Sequence, residues 1–123
     1  MVEFINKEEG LLRLGGNFQI YKTLLEKFTH NDYYSRLCHH LTNNNFVEAK
    51  AIAHTIKGTA GNLSLTALFQ IATALDSALK KEEDIQPIFE EFKSIYEATI
   101  SEIKKTLYDD EEGSVDGQNL KYR

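Results

Sequence analysis

Residues that staple or interrupt a small protein are nearly missing from this chain: its 123 residues include one cysteine, one proline, one methionine and no tryptophan. A single cysteine, Cys38, excludes an internal disulfide framework and fits a reducing compartment. With one proline, Pro87, there is little to break a helix along the rest of the chain. Long apolar runs are also missing. No stretch approaches the roughly 20 residues that span a bilayer, and the opening Met1-Val2-Glu3-Phe4 lacks the basic and apolar regions of a secretory signal. Positive charge is not in surplus: 14 Lys and Arg stand against 19 Asp and Glu, for a net charge of −5. Nucleic-acid binders concentrate the opposite sign to neutralise phosphates. These absences lead us to expect a cytoplasmic chain with no nucleic-acid or membrane partner. The hydrophobic fraction of 41% suffices for one buried core and not for two.

What is present is helical periodicity. Apolar residues recur at intervals of three and four, never persistently at two, so no strand is expected. A short first helix is expected over residues 7–14, stopped by Gly15-Gly16, with Asn17 positioned to cap the next helix. That second helix begins near Phe18 and carries the stripe Ile20, Leu24, Leu25, Phe28, then Tyr34, Leu37, Cys38, Leu41. Its phase slips at His30-Asn31-Asp32, where a bend or short break belongs. Asn43-Asn44-Asn45 makes a turn, and a third helix spans 46–62. Ser64 is expected to cap a fourth helix with core positions Leu65, Leu68, Ala72, Leu75 and Leu79, ending at Lys80-Lys81. Pro87 falls in the first turn of a fifth, with stripe Ile88, Phe92, Ile95, Thr99 and Ile103, which ends near Leu107 or Tyr108. Residues 1–108 then form one all-α domain, an antiparallel up-and-down four-helix bundle with a short extra N-terminal helix. Residues 109–123, acidic and almost without apolar surface, are expected to be a disordered tail.

The most informative segment is Ala53-His54-Thr55-Ile56-Lys57-Gly58-Thr59-Ala60-Gly61-Asn62-Leu63, on the third helix. At about 100° per residue, Ala49, Ile52, Ile56, Ala60 and Leu63 fall on one face, and His54, Lys50, Lys57, Gly58 and Gly61 on the other. The histidine therefore points to solvent. An ordinary surface histidine is the plain alternative, and the glycines argue against it. Each costs a helix up to about 1 kcal/mol relative to alanine, and both lie on the histidine's own face. Their bareness would let another protein surface approach. Lys57, three residues on, can place an ammonium beside a phosphoryl group carried by the imidazole. A free imidazole, with its reference pKa of about 6.5, is largely neutral near pH 7 and needs no activating base to act as a nucleophile.

In these residues the segment resembles the histidine-containing phosphotransfer (HPt) domain family, whose signature is His-x-x-Lys-Gly followed by small residues. The similarity extends upstream through Glu9-Gly10-Leu11-Leu12-Arg13-Leu14-Gly15-Gly16-Asn17, Tyr21 and Leu24-Leu25, and so covers residues 5–107. The resemblance implies a helical bundle whose exposed His54 accepts a phosphoryl group at Nε2 from a receiver-domain aspartate and passes it to another receiver. It implies that Lys57 steadies the phosphoryl oxygens and Gly58 gives access. Lys50, Gly61 and Asn62 would border the docking surface for response-regulator receivers or a hybrid sensor kinase. No cofactor of its own is implied; Mg²⁺ would sit on the partner receiver, and the carrier would be a monomer and not an enzyme. Many members have glutamine or glutamate twenty-two residues after the histidine, bonding the second ring nitrogen. Here that position is Asp76, a candidate to orient the imidazole. An ion pair between Asp76 and Lys80 at i+4 is the competing role and the favoured one. Ser64 stands where the family commonly has glycine.

Three other readings compete. An enzyme using His54 as base or nucleophile would want supporting parts, but no Gly-rich phosphate loop, Walker lysine motif or kinase signature is present. A metal-binding bundle could draw on His30, Cys38, His39 and His40. The Glu-x-x-His pairs of di-iron bundles are missing, however, and adjacent His39 and His40 point about 100° apart. Cys38 fits the apolar stripe as a core residue. A docking adaptor without chemistry would require neither His54 nor Lys57.

Overall fold

A computed structural model describes residues 2–114, with side chains through 108. Its described residues form six α-helices: α1 (Lys7–Arg13), α2 (Phe18–Thr29), α3 (Tyr33–Thr42), α4 (Phe46–Asn62), α5 (Thr66–Lys80) and α6 (Gln86–Ser114). The all-α bundle expected from periodicity is the observed architecture. α2 and α3 together supply one side, α2 against α6 and α3 against α4, while α4 packs on α5 and α5 on α6. The short connections at 43–45, 63–65 and 81–85 make successive helices antiparallel. Among the described residues no helix is long and apolar enough to cross a membrane.

Local chemistry sets the boundaries. Asn6 and Asn17 cap α1 and α2 by accepting from the N–H groups of Glu9 and Ile20, both at 3.1 Å. Gly15 and Gly16 both adopt positive φ, which stops α1 where the glycine pair predicted it. The slip at 30–32 is a true break. Asn31 donates from its amide to the Phe28 carbonyl, and its Oδ1 accepts from the Tyr33 N–H at 2.7 Å, so one side chain ends α2 and starts α3.

Three expectations need correction. Ile20 is 47% exposed, and Tyr21 takes its place in the buried stripe of α2, ahead of Leu25 and Phe28, which are buried as expected. Phe28 meets Tyr96 of α6 at 5.8 Å between ring centroids, and the Tyr21 hydroxyl donates to the Leu63 carbonyl at 2.7 Å. Ser64 does not cap α5. It sits at φ 56°, in the left-handed region, with its side chain turned to α1: Oγ donates to Glu9 Oε1 at 2.7 Å and accepts from Arg13 Nε at 3.3 Å. The α5 N-terminus is met by the segment before α1, where the Glu3 carbonyl accepts from the Ala67 N–H at 3.1 Å and Glu3 Oε1 accepts from Thr66 Oγ1 at 2.7 Å. Finally, α6 does not end near Leu107 but runs to Ser114. Once a helix is nucleated each added residue gains a hydrogen bond, and no proline or glycine interrupts it before Gly113. Residues 115–123 of the expected tail lie outside the described residues.

The core is continuous across the four sides. Ala49, Ile52, Ala53, Ile56 and Ala60 of α4 meet Leu65, Leu68, Ala72, Leu75 and Leu79 around the α4–α5 pair. Rings of Phe28, Tyr34, Phe92 and Tyr96 join α2, α3 and α6, with Tyr34 and Tyr96 stacked at 4.8 Å between centroids. Thr99, fully buried, satisfies its hydroxyl on the Ile95 carbonyl at 2.7 Å.

Candidate functional site

His54 stands near the middle of α4, between Ala53, fully buried, and Thr55, exposed. Its side chain is 65% exposed, as the helical wheel predicts. The buried face of α4 fixes that direction. Burial of Ala49, Ile52, Ile56 and Ala60 leaves the helix no freedom to roll, and at 3.6 residues per turn position 54 must face out.

A charged cluster lies beside the ring. Asp76 of α5 is only 2% exposed, and its Oδ2 is 3.0 Å from Lys80 Nζ, 3.4 Å from Lys57 Nζ and 3.8 Å from His54 Nδ1. The structure thus brings to Asp76 both partners that sequence spacing had offered as alternatives, His54 and Lys80, and adds Lys57. The favoured Lys80 contact is formed, but Asp76 is buried, so the pair is not the ordinary ion pair of a solvated helix face. At 3.8 Å from Oδ2, the imidazole Nδ1 is beyond hydrogen-bond length. Burial alone would push the Asp76 carboxyl up; the Lys80 and Lys57 ammoniums outweigh that and hold it below its ordinary value. Its second oxygen, Oδ1, is buried without a hydrogen-bond partner.

The two glycines differ. A Cβ at Gly58 would meet nothing within 4 Å, so packing within the chain gives no reason for its absence. A Cβ at Gly61 would lie 3.2 Å from the Phe69 ring, which corrects the reading of both glycines as cleared for access. Gly61 has a reason inside the bundle. Phe69 escaped the sequence analysis because it lies off the α5 core stripe; it is 40% exposed, and an aromatic on the outer side of a helix was the available signal. Together with Gly58, Gly61, Asn62, Glu9 and Arg13 it lines an open groove beyond the histidine. Lys50 is elsewhere, in a second groove with Phe46, Val47 and Leu79 one turn before His54. The expected docking residues therefore fall on two flanks of His54. Phe46 and Val47 are 45% and 74% exposed, giving the second flank an apolar border.

His30, His39 and His40 are not on the helix of His54 but at the α2–α3 break and on α3, where His40 Nδ1 is 3.4 Å from the Asn45 amide just before α4, and Cys38 is partly buried. Among the described residues no group of three or more His, Cys, Asp or Glu could hold a metal ion.

No curated protein and no solved structure gives a significant match to the chain. The family model for the Hpt domain matches residues 24–106, from the middle of α2 almost through the side chains described for α6, and so includes His54, Lys57 and Asp76. With more than half of its length matched, the chain belongs to the Hpt domain family.

Proposed function

We propose that the chain is a phosphorelay phosphotransfer protein in which His54 is the phosphoryl acceptor. The observation that carries this reading is an imidazole 65% exposed on its outer side, with Nδ1 facing a buried carboxylate that is itself held by lysines. An aspartyl phosphate on a receiver domain would be attacked by the Nε2 lone pair. The P–O bond to the receiver breaks with its electron pair left on the receiver carboxylate, and an N–P bond forms. The proton on Nδ1 stays, and the positive charge gained by the ring faces Asp76 Oδ2. Lys57 supplies an ammonium to the phosphoryl oxygens, and Gly58 leaves the approach bare. Phosphoryl transfer asks mainly for alignment and charge stabilisation, which these groups share with the receiver and its Mg²⁺.

The carrier is stoichiometric, with no nucleotide site of its own, and works as a cytoplasmic monomer that docks receivers or a hybrid kinase over the two flanks of His54. Lys50, Gly61 and Asn62 border that surface. Asp76 serves the imidazole through charge rather than through a hydrogen bond. Incubation with aspartyl-phosphorylated receivers and Mg²⁺ is expected to label the protein with an acid-labile, base-stable phosphate. Undiminished labelling of His54→Gln would overturn the assignment; binding of receivers with no transfer from any of them would favour an adaptor.

A further inference from the structure

The site contains a second lysine, and we propose that Lys80 is a positioning residue for phosphoryl transfer: by keeping Asp76 paired, it releases Lys57 to serve the phosphoryl group on His54. The proposal rests on the reading of His54 as acceptor.

Asp76 is the pivot. Its carboxylate is buried, its Oδ1 has no partner, and both ammoniums converge on Oδ2, Lys80 at 3.0 Å and Lys57 at 3.4 Å. Had Lys57 been the only cation, it would form a neutral pair with Asp76. A phosphoryl group would then have to draw Lys57 away and leave a buried carboxylate unpaired, the costly half of breaking any buried ion pair. Two ammoniums on one carboxylate change the count. One unit of positive charge is left over at the edge of the imidazole, available to an incoming dianion, and Asp76 remains neutralised when Lys57 departs.

The placement assigns the two lysines different parts. Lys57 is on the histidine's own helix, three residues further along the same face, so its flexible stem can reach a group on the ring. Lys80 is on α5, one turn beyond Asp76, in the closer of the two contacts and in the geometry that favours an acid four residues before a base. Its side chain is 59% exposed against 28% for Lys57, so it replaces nothing in the core. No bond to either lysine is made or broken. The reaction remains cleavage of the donor's bond to phosphorus and formation of N–P, while Lys57 exchanges one anionic oxygen, on Asp76, for another, on the phosphoryl group.

The test uses the whole chain and potassium phosphoramidate, a small donor whose P–N bond breaks as His54 takes the phosphoryl group and ammonia leaves. It needs no cognate receiver. Labelling is followed by intact mass and by the ³¹P signal of phosphohistidine, and far-UV circular dichroism verifies that each variant is folded. Lys80→Met is expected to slow labelling about tenfold, the scale of coupling between contacting charges. Lys80→Arg restores the rate. In a Lys57→Met background the further change Lys80→Met has little effect, because Lys80 acts through Lys57. A merely structural lysine would not show that dependence. Labelling of Lys80→Met at the rate of the unaltered chain, or an equal loss with and without Lys57, would overturn the proposal while leaving His54 as acceptor. No labelling of the unaltered chain would instead overturn the acceptor reading, and this inference with it.

Discussion

The two faces of α4 place opposite demands on the same backbone. On the packed face Ala49, Ala53, Ile56 and Ala60 have no exposure at all, and three alanines in four positions let the neighbouring helices come close. On the open face Lys50, His54, Lys57 and Gly58 answer to solvent and to one carboxylate of α5. Rigidity comes from the first face, and the chemistry proposed for His54 would take place on the second. An exposed side chain cannot be held by burial, so His54 is held by the buried residues on either side of it.

Substitutions on the two faces should separate these roles. His54→Gln is expected to abolish the acid-labile phosphate entirely while changing the urea midpoint hardly at all, by about 0.5 kcal/mol or less. Ile56→Ala, two residues away, should do the reverse: a loss of about 2–5 kcal/mol of stability, with an unchanged labelling rate for the molecules that remain folded. If that rate collapses too, the division between the faces is not real. Gly58→Ala should stabilise the chain by up to about 1 kcal/mol and slow transfer from a receiver, because its new Cβ meets nothing inside the protein and must meet the partner. At Gly61 the same change brings a methyl against the Phe69 ring, so its gain in denaturant stability should be smaller or of opposite sign. A Gly61→Ala variant as stable as Gly58→Ala would show that the contact is unimportant.

The smallest effect concerns acid. Since the Asp76 carboxyl titrates below its ordinary range when folded, it contributes stability above the unfolded value of about 4 and loses it as pH falls through the lower folded value. The stability gap between the unaltered chain and Asp76→Asn should therefore narrow as pH is lowered from about 4. Urea midpoints over that range measure it, and a gap independent of pH would show that the lysine pairing does not depress the carboxyl.

Much of this site was legible in one dimension because α4 is a regular helix. Spacing alone places His54 opposite Ile52 and Ile56 and puts Lys57 on its own side. Only the first position of the α2 stripe was misread: Ile20 and Tyr21 are both apolar enough to be buried, and the space beside Gly10 and the Leu63 carbonyl, which takes Tyr21, chooses between them. Ser64 looked like a cap because a serine before a helix usually is one; the Glu3 segment already occupies that end of α5, and Glu9 and Arg13 claim the hydroxyl. Gly61 looked like Gly58 because sequence contains no Phe69 ring beside it.

Composition and periodicity by themselves determined an all-helical chain, its turn positions, the solvent-facing histidine and the lysine that follows it, since each depends on residues within a turn or two along one helix. The tertiary structure alone decided that Asp76 is buried, that Lys57 and Lys80 share its Oδ2, and that His54 Nδ1 faces that same oxygen. Those contacts cross from α4 to α5, and their distances depend on how closely two helices pack, which no spacing within either one encodes.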